Sequence, residues 1–155
     1  MSSPNSNFAT HTDFVLETPP EYRNFVSQVH EFFTIAGYKS KFQLRKYGFT
    51  AQYNSSITKR LALQFFIRDN ALHMYLYSGF IYSYNDFLDA LPSCVIKVLE
   101  ANNNCRDCSP ECAKNKCTIN GKRYEKCLCG RTLFTVDEEV TGILPVLQKI
   151  CELSV

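Results

Sequence analysis

The chain has 155 residues, 45% hydrophobic and 21% charged, which supplies enough apolar side chain for one core of its own. With 17 Lys and Arg against 15 Asp and Glu, the net charge of +2 makes no global case for nucleic acid, which is expected to bind weakly at most. No run approaches the roughly 18 apolar residues of a membrane span. Residues 1–10 are polar, without the basic start and apolar centre of an export signal. A thiol-rich chain of this kind is expected in the cytoplasm, with no membrane partner.

Residues 1–20 are rich in Ser, Asn and Thr and read as a flexible leader. Their one apolar cluster, Phe14-Val15-Leu16, could dock on the body or add an edge strand, and His11 is given no role. The remainder, 21–155, is expected to be a single α+β domain. Pro20 suits a helix opening and Gly37 a helix stop, and Tyr22, Phe25, Val26, Val29, Phe32, Phe33 and Ala36 recur at helical spacing between them. His30 borders that stripe.

Four strands are predicted next, over 38–46, 49–53, 59–68 and 71–77. Phe42 and Leu44, then Phe49, Ala51 and Tyr53, then Leu61, Leu63, Phe65 and Ile67, then Leu72, Met74 and Leu76 alternate with polar positions. Asn54-Ser55-Ser56 and Asp69-Asn70 supply turns. The opposite face would carry Lys39, Lys41, Gln43, Arg45, Thr50, Gln52, Gln64, Phe66, Arg68, His73, Tyr75 and Tyr77. Rings mixed with cations and amides can stack on and hydrogen-bond a flat ligand or unpaired bases. Arg45, Gln64, Phe66, Arg68, His73, Tyr75 and Tyr77 are the candidate ligand-binding residues. The competing reading is ordinary cross-strand pairing on a solvated or covered face.

Helical pattern resumes after Gly79, with Ser83 placed as an N-cap and Phe87, Leu88 and Leu91 facing the core. Pro92 breaks the run and a second helix is expected over 93–101, where Cys94 reads as a small core residue. A last strand is expected over 132–136. Asp137-Glu138-Glu139 then opens a C-terminal helix that Pro145 must kink or restart.

Six of the eight cysteines fall between Cys105 and Cys129, in C-R-D-C-S-P-E-C-A-K-N-K-C-T-I-N-G-K-R-Y-E-K-C-L-C. Cys105-x-x-Cys108 has the spacing of a metal knuckle, and zinc takes four ligands, thiolates among the best of them. Asn120-Gly121 predicts a type I′ hairpin turn pairing Ile119 with Lys122, Cys117 with Tyr124 and Lys114 with Cys127. Extended further, that register sets Cys112 opposite Cys129. Alternation then puts Cys112, Cys127 and Cys129 on one side and Cys117 on the other. The predicted ligands of a structural Zn²⁺ are Cys105, Cys108, Cys112 and Cys127, with Cys129 as a replacement for Cys127 and Cys117 left out. A register slipped by one residue would reverse that exclusion. Disulfides, an iron–sulfur cluster, thiol redox chemistry and plain reduced cysteines are the competing readings. Around the knot Arg106, Lys114, Lys116, Lys122, Arg123, Lys126 and Arg131 outweigh Asp107, Glu111 and Glu125, and cations lower the energy of a dianionic zinc tetrathiolate.

The segments N-G-K-R-Y-E-K-C and C-R-D-C-S-P-E-C, within this order of elements, resemble a group of small uncharacterised bacterial proteins with an α+β core and a C-terminal Cys-rich hairpin. The resemblance covers roughly residues 21–153 and implies the fold without an activity. No phosphate-cradling Gly loop, nucleophile elbow or paired-His motif is present in the sequence, and no catalytic residue is assigned. The expected function is a non-enzymatic module, braced by zinc, that binds a small molecule or another macromolecule such as a protein. A thiol-based redox sensor or oxidoreductase working through the hairpin is the alternative.

Overall fold

The computed structural model describes residues 9–46, 48–102 and 109–153. From Ala9 onward the stretch expected as a loose leader is built onto the body. Thr10 and Asp13 form a reciprocal capping box, Thr10 Oγ1 accepting from Asp13 N at 3.1 Å and Asp13 Oδ2 from Thr10 N at 2.9 Å. They open helix α1 (His11–Glu17), which buries Phe14 completely. A 3₁₀ turn, Pro20–Tyr22, leads into α2 (Arg23–Ile35), so the expected helix over 21–36 begins as a tighter turn. His11, given no role by sequence, stacks on His30 of α2 at 3.9 Å between ring centroids, and both rings lie 5.5 Å from Phe42.

The alternating segments form the predicted meander of β1 (Lys39–Arg45), β2 (Gly48–Asn54), β3 (Leu61–Arg68) and β4 (Ala71–Tyr77). Asp69 and Asn70 take the left-handed conformation that a tight hairpin turn needs. Phe42, Tyr53, Leu63, Phe65, Met74 and Leu76 of the inner face are buried, and only Leu44, at 41% exposure, escapes the helical cover. The helical pattern after β4 resolves into α3 (Ser78–Ile81) and a 3₁₀ segment, Asn85–Ala90. Ser83 does not cap it: its hydroxyl donates back to Gly79 O at 2.7 Å. Then come α4 (Ser93–Ala101), β5 (Lys114–Ile119), β6 (Lys122–Cys127) and β7 (Arg131–Thr135).

Strand β7 joins β4, completing an antiparallel sheet of order β1-β2-β3-β4-β7, while β5 and β6 form a separate two-stranded sheet. The acidic opening after β7 is a short 3₁₀ turn, Val140–Ile143, in which Asp137 Oδ1 accepts from Val140 N at 2.8 Å. Pro145 does not kink a helix. It stands in the first turn of α5 (Leu144–Leu153), where its missing N–H costs nothing. Helices α2 and α5 pack together, and Phe25, Val26, Val29 and Phe33 meet Val146, Leu147 and Ile150 in one core over the inner face of the sheet. The fold is α+β with its helical cover on one side.

Candidate functional site

The hairpin has the register its Asn-Gly turn dictates: Ile119↔Lys122, Cys117↔Tyr124 and Lys114↔Cys127. Asn120 and Gly121 both have positive φ, 53° and 78°, as a type I′ turn requires. Asp89 Oδ1 accepts from Asn120 N at 2.8 Å and holds the tip against the 3₁₀ segment. The inward side buries Cys117 and Ile119. Lys126 is also buried. Its ammonium donates to Asn102 O at 2.5 Å and Glu100 O at 3.3 Å, satisfying carbonyls at the C-terminus of α4. Tyr124 adds a 2.9 Å hydrogen bond to Glu100 Oε2. These ties fix the hairpin to the body and decide which way its cysteines point.

Past the last strand pair, Leu128 N donates to Ala113 O at 2.8 Å, which continues the ladder one step and brings Cys112 beside the Cys127-x-Cys129 turn. The sulfurs of Cys112, Cys127 and Cys129 all lie within 4.8 Å of one another. Tetrahedral ligands at about 2.3 Å from zinc sit roughly 3.8 Å apart, so small side-chain rotations would close the three on one ion. Backbone donors already point at two of them: Ser109 N to Cys112 Sγ and Cys129 N to Cys127 Sγ, each at 3.4 Å. Such N–H···S bonds spread thiolate charge and orient ligands. Hydrogen bonds with Cys127 and Cys112 push the Cys129 thiol up. Cys127 is buried, Cys112 half-buried and Cys129 exposed, which leaves an entry path.

Of the four predicted ligands, Cys112 and Cys127 meet, and the sulfur of Cys129 lies with theirs. Cys105 and Cys108 lie outside the described residues. Cys117 faces the core and burial pushes its thiol up. Cys151 is likewise a core thiol, raised to about 12 by burial, and Cys94 is half-buried beside Glu139. Neither has the lowered pKa of a reactive thiolate.

The outer sheet face carries every sequence-predicted ligand-binding residue, arranged in cross-strand rows. One row runs Gln43–Thr50–Phe66–His73–Thr135, the next Lys41–Gln52–Gln64–Tyr75–Leu133. Phe66 stacks on His73 at 4.8 Å and lies 5.4 Å from Tyr75. Tyr77 Oη donates to Gln64 Oε1 at 3.1 Å. Arg45 and Arg68 stand at the end of the face remote from Arg131, with Arg45 donating to Gln43 Oε1 at 2.8 Å. The residue that sequence reasoning missed is Arg131, whose guanidinium lies 3.9 Å from the Tyr75 ring centroid. Its signal was parity: Arg131 and Leu133 alternate with buried Thr132 and Phe134, but the sequence does not say which strand β7 joins.

Among the described residues no helix is long and apolar enough to cross a membrane. Comparison with known protein families, curated proteins and solved structures finds no match.

Proposed function

We propose that the chain is a non-enzymatic binding module in which a structural Zn²⁺, held by the hairpin cysteines, locks the outer sheet face in its binding form. The observation that supports the zinc brace is the convergence of three sulfurs from two segments, Cys112 on one side and Cys127 and Cys129 on the other; the binding role rests on the aromatic and cationic outer face alone. A tetrahedral site takes a fourth ligand, and the sequence offers Cys105 and Cys108, both outside the described residues. Zinc is favoured over magnesium or calcium because the donors are all sulfur. A closed tetrathiolate leaves no position for a metal-bound water and so serves architecture rather than hydrolysis. The ion belongs in a reducing compartment, the cytoplasm, where thiolates persist.

A single residue, Gly130, separates Cys129 from Arg131, the first residue of β7, which pairs with Tyr77 and covers Tyr75. An ion at Cys129 therefore anchors the strand that borders the candidate ligand surface. Elemental analysis of protein purified under reducing conditions tests the reading, and about one zinc per chain is expected. Cys112→Ser or Cys127→Ser should lose the ion together with stability, and Cys117→Ala should keep it, because ligand binding is coupled to folding. Full metal content in Cys112→Ser would remove the site as drawn. Thiols missing in pairs, without metal, would favour the redox alternative.

A further inference from the structure

The five strands of the main sheet contain no Asp or Glu, and all five of their cations, Lys39, Lys41, Arg45, Arg68 and Arg131, fall on the outer face. The near-neutral total charge conceals this segregation, because the acids of the described residues lie on helices, turns and the hairpin. The face is also ordered across its width. Lys39, Lys41 and Arg45 line β1 at one edge, and Arg131 stands on β7 at the other. Between them β3 and β4 present Phe66 and Tyr75, centroids 5.4 Å apart with planes inclined by 30°. Three strand spacings separate β1 from β4, roughly 14 Å. Gln52 and Gln64, joined at 3.4 Å, place amide donors and acceptors beside the rings.

We infer that this face binds single-stranded nucleic acid, with the Phe66–His73 stack and the Arg131-capped Tyr75 ring as base-stacking surfaces and the β1 and β7 cations as phosphate contacts. The inference rests on the reading of this face as the ligand surface and supplies its occupant. Each feature has a counterpart in an unpaired strand. Bases offer π-faces to rings at little cost in sequence preference, phosphates are matched by cations on strands that carry no carboxylate, and base edges meet the glutamine amides. A duplex meets this surface less well, since its bases are already stacked and a flat sheet face does not enter a groove. A permanent protein partner would bury a markedly apolar patch, and among the described residues of this face only Leu133 is a large aliphatic residue exposed to about half.

Fluorescence anisotropy with labelled single-stranded RNA and DNA of about 12 nucleotides, and a duplex of the same sequence, tests it on the full chain. Both single strands should bind more tightly than the duplex. Phe66→Leu, which keeps apolar volume but removes the π-face, should weaken binding by about ten-fold at an unchanged melting temperature, and Tyr75→Leu should do the same. Lys41→Gln with Arg45→Gln should weaken it and flatten its salt dependence. Absence of binding at low salt, equal affinity for the duplex, or indifference to Phe66→Leu would overturn the inference. A concentration-dependent dimer broken by Phe66→Leu would overturn it too, by giving the face to a second copy of the chain. Zinc measured on the same samples keeps the readings apart: zinc-loaded protein that ignores nucleic acid sinks only this inference, and metal-free protein that binds it sinks only the brace.

Discussion

His11 and His30 face each other ring to ring, and the surroundings of the pair suit neutral imidazoles only. His30 Nδ1 shares a 3.0 Å hydrogen bond with Tyr53 Oη, whose phenol burial keeps protonated. His11 Nδ1 is buried with no hydrogen-bond partner among the described residues. Burial lowers the pKa of both rings, and for His11 the nearby charge of a protonated His30 lowers it further. In the unfolded chain each imidazole returns to about 6.5, so below that pH the unfolded state binds more protons than the folded one. The stability associated with the pair is present above about pH 6.5 and is lost as pH falls through that value toward the folded pKa values. The melting temperature should therefore drop between about pH 7 and 5. His11→Phe, which keeps a ring in the stack, should flatten that drop. If wild type and variant fall in parallel, the acid sensitivity belongs to other groups and the pair is merely packed.

At the scale of elements, local chemistry was legible where it is self-sufficient. The four strands follow from alternation, and the hairpin register follows from Asn120-Gly121 because a type I′ turn admits one pairing. Helix α1 was hidden in a polar stretch because seven residues cannot hold a helix in isolation, so its stability comes from docking. Thr10-x-x-Asp13 is the one local signal that marks its start. Ser83 shows the opposite failure, a capping residue with an acid three positions on whose hydroxyl bonds to Gly79 O instead. These differences are measurable. Phe14→Ala should cost roughly 3–5 kcal/mol in urea unfolding, because the ring is fully buried against Phe42 and Phe65. Thr10→Ala should cost about 1 kcal/mol through the lost cap. A Phe14→Ala cost below about 1 kcal/mol would mean that α1 is an appendage and not part of the core. Gly48 offers a control on the other side of the sheet: its φ is +132° and a Cβ there would run into Ile67 O, so Gly48→Ala should destabilise without touching α1.

Over the whole molecule, what the sequence withheld was which distant segments meet. Parity placed Cys112, Cys127 and Cys129 on one side of the hairpin, but not the anchorage of that hairpin through Lys126 to α4, nor the pairing of β7 with β4. Both arise from tertiary contacts that no local window contains. Together they connect the candidate metal centre to the sheet along a short path. Cys129 is followed by Gly130, whose carbonyl accepts from Ser78 N at 2.8 Å, and then by Arg131 in β7. Among the described residues strand β7 has β4 on one side and no strand on the other, so its order depends on one ladder, the contacts of α4 and whatever fixes its first residue. Removing an ion from the cysteines should therefore loosen the hairpin and β7 together and leave β1 and β2, paired far across the sheet, nearly unchanged. Amide hydrogen exchange before and after treatment with a zinc chelator reads this directly. Faster exchange confined to β5, β6 and β7 is the expected pattern. A uniform increase would mean that the ion stabilises the fold globally, and no change would mean that Lys126 and the buried face of the hairpin hold β7 unaided.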